Sequence, residues 1–228
     1  MKPQIMLTRA IALATTLIGL ATTASQADEV WLGPSYACAK AQTVIEKAIC
    51  TDTELAALDL AMAKLYKQAL AANPDGTTAI KGAQRAAMRE RNNCAGSGDD
   101  LRDCLKQSYL ARISALMHQS GSVGPLPQPG IYLPIWQPMS SGLTVDWVDE
   151  ATLSVDAVAI MGAKQGCEAK GDIAGSPISG GFGFLGTTGR ANTELPILRV
   201  VDNMLIIVNG PGTCTPGSQW PPVWLKAD

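Results

Sequence analysis

Histidine is almost absent from this chain; His118 is the single one. A hydrolase built on serine or cysteine needs a base beside its nucleophile and an acid to orient that base. His118 falls at the end of a helical stretch, beside a proline-rich segment, and makes a poor base there. No C-x-x-C occurs among the six cysteines, which removes dithiol redox chemistry and the zinc sites that need clustered Cys and His. Neither G-x-S-x-G nor a GKS or GKT triplet is present. "GFGFLGTTG" holds Gly183, Gly186 and Gly189, but it lacks the strand, loop and helix context of a phosphate loop. The chain carries 18 basic residues against 20 acidic ones, and so lacks the positive excess that phosphate contacts demand. These gaps predict a protein that is not an enzyme, holds no cofactor or metal and binds no nucleic acid. The opening left for catalysis is a carboxylate pair of the glycosidase kind, drawn from Asp146, Asp149, Glu150 and Asp156. These read more simply as a solvated acidic hairpin.

What is present begins at the N-terminus. "MKPQIMLTRAIALATTLIGLATTASQADEV" opens with Lys2 and Arg9, continues through an apolar core over residues 10–21 and reaches the small-x-small Ser25-Gln26-Ala27. This is the pattern of a secretory signal peptide cut after Ala27. The apolar run is shorter than the roughly 20 residues of a membrane span, and no cysteine lies near the cut to take a lipid. The expectation is a signal peptide at residues 1–27 and a periplasmic or secreted product without a stable membrane anchor. Disulfides persist in such compartments. The even set Cys38, Cys50, Cys94, Cys104, Cys167 and Cys214 predicts three of them.

The chain changes character at "QSGSVGPLPQPG", residues 119–130, where Pro125, Pro127 and Pro129 forbid a regular helix. Ala, Leu, Lys, Glu and Arg prevail before it; Val, Ile, Gly, Trp and Thr follow. The predicted fold class is α+β in two domains: a small disulfide-stapled helical domain at 28–118, a linker at 119–130, and an antiparallel β sandwich or barrel at 131–228. Residues 28–121 carry 11 acidic and 11 basic side chains, and residues 122–228 carry 9 and 5. The negative excess therefore belongs to the second half.

In the first half, residues 39–49 predict a short helix. Thr51, Asp52 or Thr53 can cap the next one, along which Leu55, Leu58, Met62, Leu65, Tyr66 and Ala69 recur at helical spacing. "NPDG", residues 73–76, predicts a turn. Further helices are expected at about 77–93 and from Asp99 or Asp100 to about His118. A domain of this size buries little core, so cross-links help it. Two antiparallel helices of 17 to 20 residues would bring Cys94 back beside Cys50, leaving Cys38 for Cys104; Cys38–Cys94 with Cys50–Cys104 is the crossed alternative. Glu46 reads as a solvated or salt-bridged residue. Asp59 shares a face with Met62 and Tyr66, and a carboxylate on a packed face needs a partner. Arg91 is the expected one, forming a structural ion pair.

These residues carry a family resemblance. "CAKAQTVIEKAICTDTELAALDLAMAKLYKQAL" is similar to the opening of the LprI-type lysozyme-inhibitor domain, in Cys38, Glu46-x-x-Ile49-Cys50, Leu55, Leu58-Asp59 and Tyr66. "QRAAMRERNNC" and "CLKQSYLARISAL" resemble its continuation. The resemblance covers residues 34–117, and Ala87 departs from it where the family often has Trp. It implies an exported, disulfide-stapled helical domain that binds and inhibits lysozyme.

The second half reads in period two, with Leu143, Val145 and Trp147, then Leu153, Val155, Ala157, Ala159 and Met161. Strands are also predicted at 167–174, 195–201 and 204–208. Asp202-Asn203 forms a tight turn between the last two, and residues 175–194 are expected to form a glycine-rich loop. Cys167 is expected to bond Cys214. Trp136, Trp147, Trp220 and Trp224 concentrate here, and "QWPPVW" reads as a strand closing the sheet rather than an exposed anchor. The functional expectation is an exported binding protein that inhibits lysozyme, its acidic second half steering approach to a basic enzyme. The other class is a non-inhibitory envelope protein that binds a wall component or a protein partner.

Overall fold

The computed structural model describes residues 32–119, 127–135, 140–149, 152–162, 165–178, 181–184, 197–208, 213–216 and 218–227. The predicted signal peptide and most of the predicted linker lie outside these residues. Four α-helices come first: α1 (Val44–Thr51), α2 (Thr53–Ala72), α3 (Thr77–Asn93) and α4 (Leu101–Gln119). An antiparallel sheet follows, with β1 (Gly130–Pro134), β2 (Ser140–Trp147), β3 (Thr152–Gly162), β4 (Gln165–Ile178), β5 (Gly181–Phe184), β6 (Ile197–Val201), β7 (Met204–Val208), β8 (Thr213–Cys214) and β9 (Val223–Lys226). The predicted linker is thus entered at both ends by regular structure, since Gln119 closes α4 and Gly130 opens β1.

Local chemistry sets the helix ends. Thr43 and Glu46 form a capping box at α1, which satisfies donors that a helix start leaves open. Asp52 caps α2 through Leu55 N, at 2.9 Å. The α2–α3 turn closes on Asn73, whose Oδ1 accepts from Gly76 N at 2.9 Å. A Cβ at Gly76 would come within 2.4 Å of the Asn73 amide, so a larger residue there would displace the side chain that closes the turn. The expected helix at 39–49 is corrected: a 3-10 turn occupies Cys38–Lys40 and α1 begins at Val44, after the Thr43 cap.

The cysteine pairing is corrected as well. The bonds are Cys38–Cys50 and Cys94–Cys104, each with Cα atoms 5.7 Å apart, and neither expected pairing occurs. Two 3-10 turns, Cys94–Gly96 and Gly98–Asp100, reverse the chain between α3 and α4, with Gly98 at φ 58°. That reversal places Cys104, rather than Cys50, at bonding distance from Cys94. The Cys94–Gly96 turn does touch α1, so the expected proximity exists without the bond. Each bridge closes a short local loop, of 12 and 10 residues in sequence separation.

In the sheet the pairings run β3-β2-β1-β9-β7-β6-β5-β4, and β4 also pairs with β3. The sheet therefore curls back on itself. The expected glycine-rich loop is corrected in part: β4 continues to Ile178, and Gly181–Phe184 pairs with it as β5, while residues 185–194 lie outside the described ones. Alternation sends Tyr132, Leu143, Val145, Val155, Ala157, Leu205, Ile207 and Trp224 to the concave side, where they form one buried cluster with Trp220. Cys167 and Cys214 stand opposite each other on β4 and β8 and are bonded. Asp202 takes φ 55° in the two-residue β6–β7 turn, a left-handed conformation that aspartate tolerates.

β7 explains how the halves meet. All five of its residues are buried. Leu205 and Ile207 face the concave cluster, whereas Met204, Ile206 and Val208 join the helical core with Leu55, Leu58, Met62, Leu65 and Ile113. Val201 of β6 and Val223 of β9 add to that outer face. The helices therefore sit on the convex side of β6, β7 and β9, and one apolar layer serves both halves. Polar contacts frame it: Lys64 pairs with Asp202, Gln68 accepts from Arg199 at 3.1 Å, and Gln107 donates to Gln219 at 3.3 Å.

Two outcomes follow. Ile206→Ala is expected to cost about 2–5 kcal/mol, the range for a large-to-small change in a packed core. Helical ellipticity and tryptophan fluorescence should then shift together in urea, because the lost methyls belong to the shared layer. Peptide mapping without reductant should recover Cys38–Cys50 and Cys94–Cys104. Cys94→Ala with Cys104→Ala should cost about 3 kcal/mol, as expected for closure of so short a loop.

Candidate functional site

The family-like residues come together inside the helical half. Asp59 is 2 % exposed. Its Oδ2 accepts from Ser35 N at 2.8 Å and from Ser35 Oγ at 2.6 Å, and its Oδ1 accepts from Tyr109 Oη at 2.9 Å. Arg91 Nη1 lies 3.7 Å from Asp59 Oδ1 and donates to Tyr109 Oη at 3.2 Å. The guanidinium also stands 5.9 Å from the Tyr109 ring centroid, within cation–π range. So the Asp59–Arg91 pair is one edge of a four-residue network joining the segment before α1 to α2, α3 and α4. Burial, and then the Asp59 charge, push the Tyr109 hydroxyl well above its ordinary value. The same two causes raise Tyr36, whose hydroxyl donates to Glu46 O, to about 12.

Glu46 is neither merely solvated nor salt-bridged. Its Oε2 accepts from Thr43 N and Gln42 N, each at 2.9 Å. These backbone bonds, Thr43 first, hold its carboxyl below the usual range. A second polar cluster escaped the sequence reading. Glu54 is 1 % exposed and is met by Arg102 and by Lys106, the latter at 3.3 Å. Arg102 Nε also donates to Asp52 Oδ2 at 2.7 Å. Burial works against the Arg102 charge, but Glu54 and Asp52 outweigh it and hold its pKa above the ordinary value. The available signal was the i, i+4 pair Arg102 and Lys106 on α4, opposite the acidic start of α2.

Both clusters fasten helices, the first from the interior and the second around buried Glu54 with Arg102 half-exposed at its edge. What faces outward is different. A groove of about 450 Å³ separates α3 from α4, lined by Ala83, Ala86, Ala87, Ala111, Ala115 and the Cys94–Cys104 bridge. Ala87, the departure from the family pattern, is one of its walls, so a small side chain there leaves the groove open.

The β-domain candidates are dispersed. Asp146 and Asp156 are exposed, at positions between the inward Val145 and Val155 and their neighbours. In register Asp146 stands opposite Ser154, and Asp156 opposite Thr144 and Lys170. Asp149 is exposed after β2, His118 is exposed near the end of α4, and Glu150 lies outside the described residues. Trp220 and Trp224 are buried, 6.3 Å apart at their ring centroids, so the exposed-anchor reading of "QWPPVW" does not hold for them. Trp147 is half-buried and donates to Pro127 O at 3.0 Å, and Trp136 lies outside the described residues.

Removing the Asp59 carboxylate should be costly. Asp59→Ala leaves Arg91 and Tyr109 facing each other without an acceptor, and about 3–5 kcal/mol of stability is expected to go, read from urea midpoints. The pH dependence has a definite sign. Tyr109 and Tyr36 have folded values above the unfolded value near 10. Their stabilisation is therefore complete below about pH 10 and is lost as the pH rises toward the folded values. The urea midpoint should hold level up to about pH 9.5 and then fall, and Tyr109→Phe should shrink that fall.

Comparison with known proteins gives a partial likeness. The chain is 32 % identical over 84 residues to a protein named Lipoprotein LprI in Mycobacterium bovis, and equally to its counterparts in two Mycobacterium tuberculosis strains. The match takes in 37 % of this chain and 41 % of each relative, so it spans about two fifths of their length. No family model matches the chain, and no solved structure does. The chain is thus similar to LprI over part of its length.

Proposed function

We propose that this protein is an exported binding protein that inhibits a lysozyme through its helical half. The observation that supports this most is the integrity of the LprI-like unit. Cys38, Glu46, Cys50, Asp59, Cys94, Cys104 and Tyr109 all sit in one interlocked framework. Its conspicuous polar residues are used up in holding helices together, which leaves the outward helix faces for a partner. A rigid framework of this kind suits a stoichiometric inhibitor, because little ordering entropy is lost on docking. Three disulfides suit an oxidising compartment, and no described helix is long and apolar enough to cross a membrane. The reading carries no turnover and no cofactor; the protein acts by occupying an enzyme.

The test is a turbidity assay of cell-wall lysis by several lysozymes, titrated with the oxidised full chain. Inhibition that reaches completion near one molar equivalent is the expected result. Undiminished lysis at tens of micromolar would sink the inhibitor reading for the lysozymes used. Retention of the protein on isolated cell wall in that case would favour the envelope-binding class.

A further inference from the structure

The solvent side of α3 carries charge of one sign. At 100° per residue, Lys81, Arg85 and Arg89 fall on one side of the helix, together with Thr78, Gly82 and Asn92. All three cations are exposed, and the side they share holds no carboxylate. Glu90 is the helix's one acid, and it belongs to the groove wall beside Ala86 and Ala87. The other basic residues of the helical bundle's interior contacts are committed: Arg91 to Asp59, Arg102 and Lys106 to Glu54, Arg112 to Gln84 at 2.8 Å. Among the described residues, Lys81, Arg85 and Arg89 enter no ion pair.

This arrangement works against the helix itself. Like charges at i, i+4 destabilise a helix, and here the spacing repeats twice with no acid at either flank, since residues 77 and 93 are Thr and Asn. The surface beside the cations is also low. Gly82 has open space where its Cβ would be, and Ala86 follows one turn on. A partner can therefore come close to the helix between projecting guanidinium groups.

The charge of the stripe calls for an anionic partner. Arg85 and Arg89 are i, i+4 neighbours, with Cβ atoms about 5–6 Å apart. A retaining glycoside hydrolase holds its two working carboxyl groups about 5–5.5 Å apart. Two guanidinium forks carried on adjacent turns can each reach one of two such carboxylates, and charge-assisted pairs of this kind are the strong ones. Lys81 extends the stripe to about 12 Å along the axis at 1.5 Å per residue, which suits an elongated cleft. We propose that this face of α3, with Arg85 and Arg89 at its centre, enters the carboxylate-lined cleft of the lysozyme that the protein inhibits. The proposal rests on the inhibitor reading and assigns the surface that carries it.

The experiment uses the oxidised full chain and two variants: Arg85→Glu with Arg89→Glu, and Lys67→Glu with Lys40→Glu. The second makes the same charge change at exposed lysines elsewhere. Both should keep the wild-type melting profile, because the altered side chains are exposed. Inhibition of lysis should weaken at least tenfold in the arginine variant and by less than threefold in the lysine variant. Wild-type inhibition should weaken as ionic strength rises, and a chitin oligosaccharide that fills the cleft should compete with it. If the arginine variant inhibits as well as wild type, or the oligosaccharide does not compete, this surface is wrong while the inhibitor reading stands. If the wild type inhibits no lysozyme, both fall. Retention of wild type but not of the arginine variant on an anionic wall polymer, without inhibition, would replace the enzyme cleft with that polymer.

Discussion

Met204–Val208 is a strand with no side to spare. Successive side chains on a strand point to opposite faces, and here both faces are buried, one against the concave cluster of the sheet and one against α2 and α4. That constraint fixes much else. A strand apolar on both sides must lie between two layers, so the helices dock on the convex face of β6, β7 and β9. The same demand explains why Arg199, on the outward side of β6, is buried and donates to Gln68. Its burial lowers the arginine's pKa from the ordinary value, a cost tolerated where the surrounding apolar layer gains area.

Polar pins then set which helix goes where. The Asp59–Arg91–Tyr109–Ser35 network and the Asp52–Glu54–Arg102–Lys106 cluster both bind α2 to α4, at different depths. Buried carboxylates in such places are poor at adding net stability but costly to leave unpaired. They act against alternative registers of α4 along α2, since a shift by one residue would strand Asp59 and Glu54 together. The two local disulfides close the ends of the same unit, one before α2 and one between α3 and α4.

Much of this was legible in the sequence. The limits of α3, the strand at 204–208 and its two-residue turn follow from nearest-neighbour chemistry and from the period of apolar residues, and Asp52 was one of the three candidate caps for α2. The alternation from Leu143 to Ala159 announced a half-buried sheet. Less legible was β5. Glycines at 181 and 183 hide strand character, because a residue without a side chain shows no alternation. The helix expected over 39–49 was shortened by Thr43 and Glu46, whose capping box starts a helix where periodicity alone had none to start.

The sequence by itself determined the local elements, the apolar faces and the fact that Asp59 needed a partner, because each depends on residues a few positions apart. Which of the four helical-domain cysteines pair was decided only in three dimensions, whereas Cys167–Cys214 was expected from the sequence. The two 3-10 turns after α3 return Cys104 to Cys94 at bonding distance, while a linear count of helix lengths favoured Cys50. The docking of the halves was likewise invisible along the chain. A run such as Met204–Val208 reads the same whether it crosses the middle of one sheet or joins two layers, and only the approach of α2 and α4 to its outer face tells them apart.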